Sequence, residues 1–137
     1  MFVPQFIVPY TKLKLQGKDW YFPKVQITLK RMGKTFNTDA LIDSGADYSL
    51  FRHEIAEALG LPLERGAVKT IKGISGEIKT YAFNMEVDFG GESFNSPIEF
   101  SRDYKFRYNL LGRMPFFEKF RITFDEKNKQ MIFEKNE

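Results

Sequence analysis

The 137-residue chain contains no cysteine, which excludes a disulfide scaffold, thiol catalysis and thiolate metal sites. That usage suits a reducing compartment, and a cytoplasmic location is the expectation. Histidine and tryptophan occur once each, as His53 and Trp20. A lone histidine has no companions at metal-ligand spacing, so His53 reads as an exposed helix residue, and neither a metal nor a cofactor is expected. A strong charge of one sign is missing too: 21 basic and 18 acidic residues leave +3, and the basic residues are scattered along the chain. Nucleic acid is therefore not an expected partner. No apolar window approaches the length that spans a bilayer. The apolar start, Met1 to Tyr10, is broken by Pro4 and Pro9 and lacks the basic opening of a secretion signal. A soluble protein without a membrane partner is expected.

What the chain does have is aromatic bulk, with 15 Phe and 6 Tyr, and period-two patterning. Val25, Ile27 and Leu29 alternate with Gln26, Thr28 and Lys30, and Arg31-Met32-Gly33-Lys34 supplies a turn into a returning strand. Tyr81, Phe83, Met85, Val87 and Phe89 alternate with Ala82, Asn84, Glu86 and Asp88 before Gly90-Gly91 turns the chain back. Phe120, Ile122 and Phe124 form another such strand, and Met131 to Phe133 the last. Leu50, Ile55, Ala58 and Leu59 recur at helical spacing, with Ser49 as N-cap and Gly60 as stop, so one helix is expected there. Met114 to Glu118 reads as one short helical turn. The expected class is all-β with one α-helix and that turn. The length fits a single domain: residues 22–137, with 1–21 as an amino-terminal extension or arm carrying one short strand before a polar stretch.

Within this pattern Leu41-Ile42 ends an apolar strand directly before Asp43-Ser44-Gly45-Ala46. A carboxylate following a buried strand is paired, metal-bound or chemically useful. Taken alone, Asp-Ser-Gly is also an ordinary Asx-type turn closing a hairpin. Two further features bear on it. Gly73-Ile74-Ser75-Gly76 forms a glycine-bracketed hairpin tip, taken alone an ordinary turn, that is also able to flex and lie close to a ligand. Asn109-Leu110-Leu111-Gly112-Arg113 repeats the apolar-run-to-glycine pattern, followed by a cation.

In that order the three features resemble the retropepsin-like aspartic peptidases, whose pattern is Asp-Thr/Ser-Gly-Ala, a flap, and Ile/Leu-Leu/Ile-Gly-Arg before a short helix. The resemblance covers about residues 22–134; Ser44 stands where Thr is commoner, and Pro115 falls in the short helix. It implies a closed β-barrel active as a homodimer, with Asp43 catalytic and Ser44, Gly45 and Ala46 supporting its loop. It further implies an ion pair between Asp47 and Arg113, and a substrate-binding flap of Gly73, Ile74, Ser75 and Gly76. Leu110, Leu111 and Gly112 form its motif near the carboxyl end.

Peptide hydrolysis by carboxylates needs one ionised group to accept a proton from water and one protonated group to polarise the carbonyl. Two carboxylates sharing a proton meet both needs. The chain has one Asp-Ser-Gly, and Asp88-Phe89-Gly90 sits on an alternating strand without the hydroxyl. The expected partner of Asp43 is thus Asp43 of a second copy. Water attack activated by that dyad on an extended polypeptide substrate is the leading expectation. The alternative is a non-catalytic dimerisation or peptide-binding module on the same fold.

Overall fold

Alternation produces a strand wherever one face can be buried, and the longest alternating runs do so here. The computed structural model describes residues 5–73 and 76–137. In β4 (Lys24–Arg31) Val25, Ile27 and Leu29 are buried while Gln26 is exposed. β4 pairs antiparallel with β5 (Lys34–Ile42) across Met32-Gly33, both at positive φ (50° and 81°). That geometry matches strand twist in a two-residue turn, and Gly33 adopts it without steric cost. Phe83, Met85, Val87 and Phe89 of β8 (Gly76–Phe89) are likewise buried. β8 pairs antiparallel with β7 (Ala67–Gly73) on one side and β9 (Glu92–Ser101) on the other.

The expected helix start is corrected. Ser49 to Arg52 form a strand, β6, and the helix α1 spans only His53–Ala58, with no side-chain cap. Long-range pairing outweighs the local helical spacing: Ser49, Leu50, Phe51 and Arg52 align in parallel with Ile98, Glu99, Phe100 and Ser101, and Phe51 is fully buried. Gly60, at φ +70°, does stop the helix, its N–H donating to the Glu57 carbonyl at 3.0 Å.

Next to β6 runs the two-residue strand β10 (Leu110–Leu111). It lies parallel to β5, with Leu110 opposite Leu41 and Leu111 opposite Ile42, and antiparallel to β6, with Leu110 opposite Leu50. The resulting seven-stranded sheet has the order β4-β5-β10-β6-β9-β8-β7, and β4 pairs additionally with β8. The second apolar run is thereby inserted between the strands that enter and leave the Asp43 loop.

The amino terminus holds more structure than one strand. β1 (Gln5–Pro9) pairs with β12 (Gln130–Lys135), which pairs with β11 (Phe120–Asp125). Residues expected to be a polar stretch form a hairpin of β2 (Thr11–Leu15) and β3 (Lys18–Phe22), turning at Gln16-Gly17 with both φ values positive. The short helix α2 (Phe116–Lys119) precedes β11.

The phenylalanines explain how the β1-β12-β11 sheet is held. Phe6, Phe89, Phe116, Phe120 and Phe133 pack with ring centroids 5.0–6.3 Å apart. Phe89 belongs to the large sheet and the others to the terminal sheet and α2. Each buried ring contributes about 1.5–3 kcal/mol by leaving water.

Candidate active site

Asp43 lies one residue beyond β5, where its N–H donates to the Leu111 carbonyl at 2.9 Å. Its Oδ1 accepts the Gly45 N–H at 2.9 Å, and its carbonyl accepts the Ala46 N–H at 3.3 Å. The Asx-type turn is therefore present, but it leads into β6 and closes no hairpin. Asp43 is half-buried, Ser44 and Gly45 are exposed, and Ala46 is half-buried. A Cβ on Gly45 would meet Asp43 Oδ1 at 3.3 Å, so glycine lets the carboxylate fold back over the turn. Among the described residues Asp43 forms no ion pair and no hydrogen bond to another carboxylate.

The second motif docks directly on this loop. The Gly112 N–H donates to Ser49 Oγ at 3.1 Å, Arg113 N–H to the Ala46 carbonyl at 2.8 Å, and Met114 N–H to the Asp47 carbonyl at 2.9 Å. Ser49, read from sequence as a helix cap, is a buried acceptor for this contact. The Arg113 guanidinium pairs with the Asp47 carboxylate. Both side chains are more than half exposed, and such pairs contribute only about 0–1 kcal/mol. Backbone hydrogen bonds rather than this pair hold the two loops together.

Three supporting residues carry roles that the sequence pattern did not assign. Asn109 is buried, donating from Nδ2 to the Asp39 carbonyl (3.0 Å) and Thr38 Oγ1 (3.2 Å), and accepting the Arg52 N–H at Oδ1 (2.9 Å). It ties β5 to β6 across β10. Tyr104 donates its hydroxyl to the Tyr108 carbonyl at 2.6 Å. Burial and then the nearby Asp43 charge push the Tyr104 phenol up to about 12, with Arg52 opposing. Glu99 is buried, accepting the Thr80 hydroxyl at 2.8 Å, with Lys69 Nζ 3.9 Å from its other oxygen. A buried acid and an asparagine beside an apolar run were the available signals.

Glu99 forms part of a cavity of about 490 Å³ between the Asp43 loop and β7, walled by Ala46, Tyr48, Leu50, Ile71 and Leu110. Lys69 Nζ lies over the Tyr48 ring, 4.3 Å from its centroid. β7 and β8 pair out to Gly73 opposite Gly76, with Gly76 at φ +117°; Ile74 and Ser75 lie outside the described residues. Elsewhere, Asp88 is committed to Lys30 at 2.5 Å and to the Ser93 hydroxyl at 2.5 Å, and these hydrogen bonds hold its carboxyl below the usual range. His53 sits at the start of α1 against Glu57 (2.8 Å) and Glu54 (3.3 Å). Among the described residues no group of three or more acids or histidines could hold a metal ion, and no helix is long and apolar enough to cross a membrane.

The fold and the pairing of the two motif loops define the retropepsin-like class. The chain superposes on a retropepsin-like aspartic protease from Rickettsia conorii with a TM-score of 0.71 at 20% identity, over 98% of this chain and 92% of that one. It also matches EIAV protease in complex with the inhibitor HBY-793, with a TM-score of 0.52 at 19% identity, over 67% of this chain and 82% of that one. The 98% coverage takes in most of the amino-terminal segment, beyond the residues that carry the sequence motifs. No curated protein sequence matches. The aspartyl protease family model matches residues 25–114. The chain belongs to the aspartyl protease family.

Proposed function

We infer that the protein is an aspartic endopeptidase that cuts an extended polypeptide, with Asp43 and its mate in a second copy as the catalytic dyad. The observation that carries this reading is the Asp43 loop itself. A half-buried carboxylate, without an ion-pair partner among the described residues, is held at a strand end by backbone contacts to the Leu110–Gly112 motif. One carboxylate of the dyad takes a proton from water, whose oxygen attacks the peptide carbonyl; the other, protonated, donates to the carbonyl oxygen. Collapse of the tetrahedral species breaks the C–N bond, with a proton delivered to the leaving nitrogen.

Ser44, exposed on the loop, is available to bond across the two-fold axis. Gly73 to Gly76 serve as the flap, and the cavity beneath β7 receives a substrate side chain. The β4–β8 pairing supports reading the seven-stranded sheet as a closed barrel. Residues 22–137 constitute the peptidase unit, and residues 1–21 an arm whose strand β1 is held by β12. The absence of cysteine accords with a cytoplasmic setting.

Asp43→Asn tests the assignment, because asparagine retains the Oδ1 that accepts the Gly45 N–H and so preserves the loop. The variant is expected to remain folded while cleavage of an unfolded protein falls at least about a hundredfold. Undiminished cleavage would overturn the proposal. A wild-type protein that binds peptide without cutting it would favour the peptide-binding module.

A further inference from the structure

A second cleft of about 490 Å³ is lined by no residue of either motif loop. Its walls come from the β4–β5 turn, the chain between α1 and β7, and Ala82–Asn84 of β8. Three cations line it, Arg31, Lys34 and Arg65, and no acidic residue does. Among the described residues none of the three forms an ion pair.

Solvated surface cations are the ordinary reading of such residues, and it suits the exposed Lys34 and Arg65 taken singly; the half-buried Arg31 departs from it. Arg31 is oriented, donating from Nη1 to the Asn84 carbonyl at 2.7 Å with its guanidinium 5.4 Å from the Phe83 ring centroid. Its remaining N–H groups are left for another acceptor. Lys34 reaches from the β4–β5 turn across to the end of α1. Its Nζ lies 2.6 Å from where a Cβ on Gly60 would stand, which places the ammonium against the end of α1. Like charges converging on a concave surface repel one another, and an anion relieves that repulsion. The rest of the wall is apolar, from Leu59, Leu61, Pro62 and Phe83. The volume lies within the roughly 300–1,000 Å³ of small-ligand sites.

We propose that this cleft binds a small organic anion, a carboxylate or phosphate ester carried on an apolar or aromatic body. The guanidinium of Arg31 offers bidentate recognition to either oxyanion. Lys34, beside Arg31 at the β4–β5 turn, and Arg65, from the chain between α1 and β7, add charge, and the apolar residues take the body. The site stands apart from the motif loops, so binding is read without reference to peptide cleavage.

The test is titration of the full chain with benzoate, phenyl phosphate, inorganic phosphate and uncharged benzyl alcohol, followed by backbone amide NMR shifts. Saturable shifts are expected for benzoate or phenyl phosphate at residues 31–34, 60–66 and 82–84. Benzyl alcohol and inorganic phosphate should each bind at least about tenfold more weakly, lacking either the charge or the body. Whichever aromatic anion binds more tightly names the oxyanion class, and either order supports the proposal. Arg31→Gln with Arg65→Gln should weaken binding at least about tenfold, whereas Lys127→Gln, on the β11–β12 turn, should leave it unchanged. Arg65 makes no side-chain hydrogen bond among the described residues, so Arg65→Gln alone keeps the test open should the double variant unfold. Benzyl alcohol matching benzoate, shifts that do not saturate at these residues, or unchanged binding by the arginine variants would each overturn the proposal.

Discussion

A Cβ on Gly112 would stand 2.2 Å from the Tyr48 carbonyl oxygen and 2.9 Å from that of Ala46. The backbone of the carboxyl-terminal motif is thus in direct contact with the loop that begins at Asp43. Gly112 is not among the positive-φ glycines, so the need for glycine here is for space rather than conformation. The same contact lines up the Arg113 and Met114 N–H groups with the Ala46 and Asp47 carbonyls.

Gly112→Ala is therefore expected to destabilise the fold by about 2–3 kcal/mol, at the upper end of overpacking costs, because backbone on both sides has little room to shift. Gly91→Ala is the comparison: it sits at φ +80° with nothing within 4 Å of its would-be Cβ. Its cost should be only the roughly 1–2 kcal/mol of a left-handed non-glycine residue. Urea unfolding midpoints of the two variants measure the difference, and equal losses would refute the steric account.

Asn109→Ala removes two donors and one acceptor from a buried position. The Arg52 N–H loses its side-chain partner and the Asp39 carbonyl the nearer of its two, and a buried group left unsatisfied costs about 1–3 kcal/mol. Thermal unfolding should show a loss in that range. Hydrogen exchange should quicken at the Arg52 amide first; a variant as stable as the wild type would show that β5 and β6 need no such tie.

Tyr104 reports on Asp43. Its phenol is pushed up to about 12, by burial first and the Asp43 charge second. A pKa raised in the folded state stabilises the fold below the unfolded value near 10, and that stabilisation is lost as pH rises towards about 12. Asp43→Asn removes the second cause and leaves the first. Tyr104 should then titrate at lower pH than in the wild type while staying above an ordinary tyrosine, as followed by tyrosine ring NMR shifts. An unmoved titration would show that the Asp43 charge does not reach the ring.

Much of this organisation was legible in the sequence because it rests on local pattern. The alternation of β4 and β8, the turns at Met32-Gly33 and Gly90-Gly91, and the two apolar runs ending in glycine all appear as read. What was not legible depends on distant pairing. Ser49 and Leu50 look helical in their own neighbourhood and become strand only because Ile98 and Leu110 lie beside them. Leu13 and Leu15 between lysines, with Gln16-Gly17 following, signalled a hairpin that the polar composition obscured. Glu99 sits in a strand with no motif and Asn109 only heads the second apolar run, and their burial against Thr80 and Arg52 is a product of the assembled sheet. The Arg113–Asp47 pair was expected from the motif resemblance, but its exposure, and hence its small energetic share, was not.

The central claim is that Asp43 works only with a second Asp43. Wild-type protein mixed with rising proportions of Asp43→Asn at fixed total concentration, after subunits have exchanged, tests this most directly. If one active site needs both carboxylates, cleavage should fall as the square of the wild-type fraction, with the mass in solution remaining that of a dimer. Activity that falls in simple proportion to the wild-type fraction, or that persists where the protein is monomeric, would contradict the account.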